Sequence, residues 1–156
     1  MLRGIVPKGL QLFGIGLLVA VLTVGFLAVP TLHAQTVTVD MLRQLVAAFN
    51  RHDLDAVMSF FADDCVLEMP RGPDPWGLRY VGKAEVRKGL ATRFEGLPDV
   101  HYSDDEHWVF GDHAVSQWTL TGTTKEGKKI RVRGCDLLQF RNGKVIRKDS
   151  YWKIVE

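Results

Sequence analysis

Asp136 stands where an acid is out of place. Between Ile130 and Trp152 the chain reads as two strands around a turn at Arg141-Asn142-Gly143. Alternate positions of the first strand are Val132, Gly134, Asp136, Leu138 and Phe140. Such alternation marks a strand with one buried face. A carboxylate on that face needs a partner, because a buried unpaired charge is costly. Lys148, on the following strand, is the candidate. An acid and an amine facing each other in a pocket can orient a polar group or move a proton without a cofactor.

The partner depends on register. With Glu126-Gly127 as a two-residue turn, Gln117 lies opposite Asp136 and Thr119 opposite Gly134. With Arg141-Asn142-Gly143 as a three-residue turn, Asp136 faces Lys148, Gly134 faces Ser150 and Val132 faces Trp152. A two-residue turn would instead set Asp136 against Asp149, two repelling carboxylates. The expected pocket row is therefore Gln117, Thr119, Asp136, Lys148, Ser150 and Trp152, with Leu138, Phe140, Val115 and Ile146 toward the closed end. The opposite face would carry Trp118, Leu120, Leu137 and Tyr151. That apolar cluster predicts a homodimer through the outer sheet face.

The elements that hold this row are readable upstream. Met41, Leu42, Leu45, Val46 and Phe49 recur at helical spacing after Thr38, a candidate N-cap. Asp53 caps a short second helix carrying Leu54, Val57, Met58 and Phe61. A short strand at "CVLEM" is followed by "PRGPDPWG", a stiff loop in which Trp76 could cover the pocket. "LRYVG" is a brief strand, and Lys83 to Phe94 a third helix. Four antiparallel strands follow, with turns at Gly111-Asp112, Glu126-Gly127 and Asn142-Gly143. This order predicts an α+β domain: three helices on a curved, mostly antiparallel sheet of about six strands, forming a cone with a pocket at its open end.

The N-terminal segment, residues 1–34, is different in kind. Arg3 and Lys8 are its only charges, and an uncharged apolar run extends from Gly9 to Val29 before Pro30 and Ala34. That layout predicts a secretory signal cut after Ala34, or an uncleaved membrane anchor. Either would put the domain at 35–156 outside the cytoplasm, in the periplasm or secreted. Two of the 20 basic residues and none of the 18 acidic ones lie in that segment, so the remainder carries no net formal charge. With no basic block, nucleic acid is not an expected partner.

Other groups carry less. His101 and His107 on one strand would be about 20 Å apart at ~3.3 Å per residue, too far to share an ion, and no metal or other cofactor is expected. Cys65 and Cys135 fall on opposite faces and are expected to be unpaired.

In "FNRHDLDAVMSFFADDCVLEMP", "YVGKAEVRKGL" and "FRNGKVIRKDSYW", in that order, the chain resembles the nuclear transport factor 2-like superfamily, with its SnoaL-like polyketide cyclases and ketosteroid isomerases, over roughly residues 39–153. The resemblance implies a cone-shaped α+β barrel with a small-molecule pocket. It carries the isomerases' fifth-strand oxyanion acid onto Asp136. Their general-base position falls on Met69, before Pro70, and their oxyanion tyrosine on Leu45. The last-strand acid of the cyclases falls on Ser150. The expected ligand is a small, largely apolar molecule touching Met69, Trp76, Gln117, Thr119, Ser150 and Trp152, with Asp136 and Lys148 as the chemical centre. The rival expectation is a non-catalytic module that binds protein through Trp118 and Tyr151.

Overall fold

A computed structural model describes residues 36–155; the predicted signal or anchor lies outside them. Three helices precede or interrupt the strands: α1 (Val39–Asn50), α2 (Leu54–Ser59) and α3 (Lys83–Gly96). The strands are β1 (Phe61–Glu68), β2 (Arg79–Val81), β3 (His101–Phe110), β4 (His113–Thr123), β5 (Lys129–Arg141) and β6 (Lys144–Trp152). They form one sheet in the order β2-β1-β6-β5-β4-β3. Only the β1–β6 pair is parallel. Among the described residues no helix is long and apolar enough to cross a membrane.

The helices begin where side chains can satisfy free N–H groups. The Thr38 hydroxyl accepts from the Met41 amide at 3.2 Å, and the Asp53 carboxylate from the Ala56 amide at 2.9 Å. Leu42, Leu45, Val46 and Phe49 then form the buried stripe of α1. Leu42, Leu45 and Phe49 join Leu67, Leu138, Phe140 and Val145 of the inner sheet face in the main core. A second core, at the other end, joins Leu97, Val100, Trp118, Leu120 and Val132.

Both hairpins around β5 differ from expectation. Beyond Thr123–Lys129, Thr124 and Lys128 also pair, with the Thr124 amide 2.9 Å from the Lys128 carbonyl. Three residues therefore turn the chain, Gly127 supplying the positive φ of 81°. The extra residue shifts β4 by one, so Asp136 lies opposite Ser116, and Gly134 opposite Trp118. Trp118 and Leu120 consequently point inward and are buried, whereas Gln117 and Thr119 take the opposite phase. Physically the observed phase is favoured, since burying each of those two large side chains stabilises by ~1.5–3 kcal/mol.

The last hairpin is the reverse case. Arg141 pairs with Lys144, leaving Asn142-Gly143 as a two-residue turn with φ of 51° and 72° at its two positions, the type I′ signature. That turn alone would have inverted β6. A bulge corrects it: Gln139 pairs with Arg147 and Phe140 with Val145, so Ile146 is the extra residue. Val145, not Ile146, packs in the core, and Ala114 replaces Val115 there. Beyond the bulge Lys148, Ser150 and Trp152 keep the inward phase. Their partners are displaced by two: Leu138 faces Lys148, Asp136 faces Ser150 and Gly134 faces Trp152.

Candidate functional site

Asp136 is buried on the inner face and receives three hydrogen bonds. The Lys148 ammonium donates to Oδ1 at 2.5 Å, the Ser150 hydroxyl to the same oxygen at 2.7 Å, and the Trp118 indole N–H to Oδ2 at 3.0 Å. Lys148 also donates to the Ser150 hydroxyl at 2.7 Å. Lys148 reaches Asp136 diagonally, one pair along from Ser150, which a long side chain can do. Three strands thus contribute to one desolvated cluster.

Trp118 needs Gly134 in order to lie there. A Cβ at Gly134 would sit 2.4 Å from the indole and 2.4 Å from the Tyr151 carbonyl. The bare backbone lets the ring cross β5 and turn its N–H to the acid. Tyr102 on β3 packs edge-on against Trp118, with ring centroids 5.3 Å apart. Burial is the main force pushing its phenol up to about 12; Arg93 opposes this and Asp136 adds to it. Tyr102 therefore remains a hydroxyl, able to donate a hydrogen bond, across the physiological range. Ser116 adds a buried hydroxyl with no partner among the described residues.

Two small voids border this cluster, and an outer cavity shares lining residues with the second of them. The deepest, about 10 Å³, lies among Leu45, Tyr102, Ser116, Trp118, Asp136 and Lys148. The next, about 20 Å³, adds Met69, Arg93, Ser150 and Trp152. Each has room for little more than one water. Met69, Arg93 and Trp152 also border an outer cavity of about 470 Å³, the size of a small-molecule site. The Arg93 guanidinium stands 4.4 Å from the centre of the Trp152 ring, within cation–π range.

Of the predicted site residues, Asp136, Lys148 and Ser150 meet, with Met69 and Trp152 at the cavity between them and solvent. Gln117 and Thr119 do not join them, because of the one-residue shift in β4. Trp76 does not line the outer cavity either. It lies under the Arg79 guanidinium at 4.4 Å, and Arg79 binds Glu68 on the outer sheet face. Trp118 and Leu120 leave the expected dimer surface for the interior, while Leu137 and Tyr151 remain exposed. Cys65 and Cys135 are unpaired. Asp53 is a helix cap, and His52 bonds the Val100 carbonyl at 2.8 Å.

Trp118, Tyr102, Ser116 and Arg93 are the site residues that sequence reasoning missed. The alternation of Trp118 and Leu120 against polar neighbours was the available signal for the first. Tyr102 and Arg93 stand in "VHYSD" and "ATRFE", where nothing in residue type singles them out.

A SnoaL-like domain model matches residues 42–148. The chain belongs to the SnoaL-like family of the nuclear transport factor 2-like superfamily. Solved structures agree. A proposed polyketide cyclase from Xanthomonas campestris superposes with a TM-score of 0.65 at 20% identity, covering 73% of this chain and 88% of that one. A proposed isomerase from Bacillus subtilis gives 0.63 at 19%, covering 73% and 84%. A nuclear transport factor 2-like protein of unknown function from Mesorhizobium loti gives 0.60 at 26%, covering 74% and 89%.

Proposed function

We propose that this domain binds a small, largely apolar molecule at the open end of its cone and turns the molecule's polar group toward Asp136, Lys148 and Ser150. The carrying observation is a buried carboxylate with three donors, set behind a 470 Å³ cavity and separated from it by Met69, Arg93 and Trp152. The chemistry that suits this arrangement is proton transfer without a cofactor. The second lone pair of Asp136 Oδ2 is the acceptor, and the Tyr102 hydroxyl and Lys148 ammonium are donors. Isomerisation, cyclisation, dehydration and some hydrolyses share that step. Similar folds support a small-molecule role: TerC, 21% identical with a TM-score of 0.64 over 73% of this chain and 89% of that one, was co-crystallised with polyporic acid.

Native mass spectrometry of the gently purified protein tests the reading. A bound small molecule is expected, retained by the wild type and lost from Asp136→Asn and Trp152→Ala variants that still fold. Retention by both variants would put the ligand elsewhere.

A second reading concerns the outer face. Phe110, Leu137 and Tyr151 are 64%, 43% and 52% exposed, and the first two border a depression of about 250 Å³. We infer a homodimer through Leu137 and Tyr151, with Phe110 in place of the inward Trp118 and Leu120. Light scattering should show a dimer at micromolar concentration and a monomer for Leu137→Glu; a monomeric wild type removes this reading. The segment at 1–34 supports export, which intact mass of the exported product tests: a chain beginning after Ala34 is a cleaved signal, one retaining Met1 in membranes an anchor.

A further inference from the structure

We propose that the mouth of the cone selects an organic anion, a carboxylate on an apolar aromatic or aliphatic body, held at its charged end by Arg71 and Arg93. The proposal rests on the small-molecule reading and names its ligand class.

The first observation is segregation of charge. The 470 Å³ cavity has an apolar floor of Met69, Leu97, Ile130, Val132 and Trp152. Its border holds Arg71, Arg93, Lys128, Lys129 and Arg131, and no aspartate or glutamate. Outside the N-terminal segment the chain has equal numbers of acids and bases, so composition does not explain this. Lys129 and Arg131 stand at strand positions that alternate outward. Arg71, Arg93 and Lys128 therefore carry the inference.

The second observation is geometric. Arg93 and Arg71 approach the same indole, with guanidinium carbons 4.4 Å and 6.0 Å from the Trp152 ring centre. Neither forms an ion pair among the described residues. The other sheet face is unlike this: there Arg79 and Arg147 are both engaged by Glu68. Each is a cation without a paired carboxylate at the border of the same cavity, and an entering anion would supply the missing partner. Guanidinium presents a planar fork that matches a carboxylate, and Met69, Leu97, Ile130 and Val132 offer an apolar surface to the body behind it. An acid entering this mouth would set its apolar part over Met69 and Val132, toward the Asp136 cluster.

Calorimetry on the full chain with 2-naphthoate and its neutral isostere 2-naphthamide tests this. The anion is expected to bind about 10-fold more tightly at low salt, the scale of one charge-assisted hydrogen-bonded contact. Added salt should narrow the gap. Arg71→Gln, in an exposed loop, and Arg93→Gln should each remove most of the preference without weakening the amide. Arg133→Gln, on the outward phase of β5 and away from the cavity border, should change neither. Equal affinities, or a preference that survives the Arg71→Gln/Arg93→Gln double variant, would overturn the anion assignment and leave the small-molecule reading standing. Binding of neither probe would also overturn the anion assignment, while the small-molecule reading stands or falls with the native mass spectrometry above.

Discussion

Asp136 and Glu68 are both buried carboxylates held by cations, one on each face of the same sheet. Their surroundings differ. Asp136 is paired with a lysine whose side chain is itself only 8% exposed. Glu68, 1% exposed, is gripped by Arg79 and Arg147, whose side chains are 40% and 49% exposed. The outer arginines keep their heads in water while their forks reach a buried acid. The inner cluster excludes water from acid and base together. Desolvated pairs are the costly kind to break, and half-exposed arginine forks are screened. The inner arrangement is the one the proposed function uses, and the outer one ties β1, β2 and β6 together.

Breaking the inner pair should produce the largest effect. Asp136→Asn and Lys148→Met are each expected to cost about 3–5 kcal/mol of stability, because each leaves an uncompensated buried group. The double variant should recover part of the loss, which urea denaturation of the four proteins measures. Additive losses under ~1 kcal/mol would mean the pair behaves like a surface bridge.

Next comes the support beneath it. Gly134→Ala sets a Cβ against the Trp118 ring and the Tyr151 carbonyl, and the backbone contact cannot simply swing aside. A loss of ~1–3 kcal/mol or more is expected, together with a shift of tryptophan fluorescence as the indole leaves Asp136. A stable variant with unchanged emission would mean Trp118 does not depend on the bare backbone.

Glu68→Gln sharpens the contrast from the outside. Burial pushes the Glu68 carboxyl up, but hydrogen bonds and charge from Arg147 and Arg79 outweigh it, so the net direction is downward. A depressed carboxyl stabilises the fold above its unfolded range, near 4.3, and that contribution fades as pH falls through the folded value. The substitution should cost roughly 1–3 kcal/mol at pH 7 and progressively less in acid. A loss independent of pH would show that packing, not charge, holds Glu68.

The main elements were legible in the sequence because capping residues and apolar periodicity report directly on helices and strands. Thr38 and Asp53 cap where expected, and Asp136 faces inward beside Ser150 and Lys148. Turn length was not legible. Glu126-Gly127 suits a two-residue or a three-residue loop, since a glycine with positive φ serves either. Nothing in residue type marks Ile146 as a bulge. The two hairpins therefore exchanged their expected lengths. On β6 the bulge restored the inward phase; on β4 no bulge intervened, and Gln117 and Thr119 gave way to Ser116 and Trp118. Trp76 was misplaced for another reason. Its cation–π partner Arg79 is only three residues away, but the arginine is held there by Glu68 on the outer sheet face, and the loop sequence does not say on which face that acid lies.

Asp149 gives the smallest and most diagnostic effect, because it shares the outer cluster with Glu68 yet moves the other way. The two are register partners on β6 and β1. Burial pushes the Asp149 carboxyl up; a hydrogen bond from Tyr151 at 3.0 Å opposes this, and the negative charge of Glu68 reinforces it. The arginines serve Glu68 first, leaving Asp149 only a 3.3 Å contact with Arg147. A raised carboxyl binds its proton more tightly in the fold than in the unfolded chain. Its ionisation therefore removes stability as pH rises from about 4, its ordinary range, through the raised folded value, and the deficit persists above that. Asn at this position keeps a carbonyl for the Tyr151 hydroxyl and carries no charge. Asp149→Asn should equal the wild type in stability near pH 3.5 and match or exceed it at pH 7, as followed by urea midpoints across that interval. A variant weaker than wild type at pH 7 but equal in acid would show that the Asp149 charge, like that of Glu68, is stabilising, and the two acids would no longer be a contrasting pair.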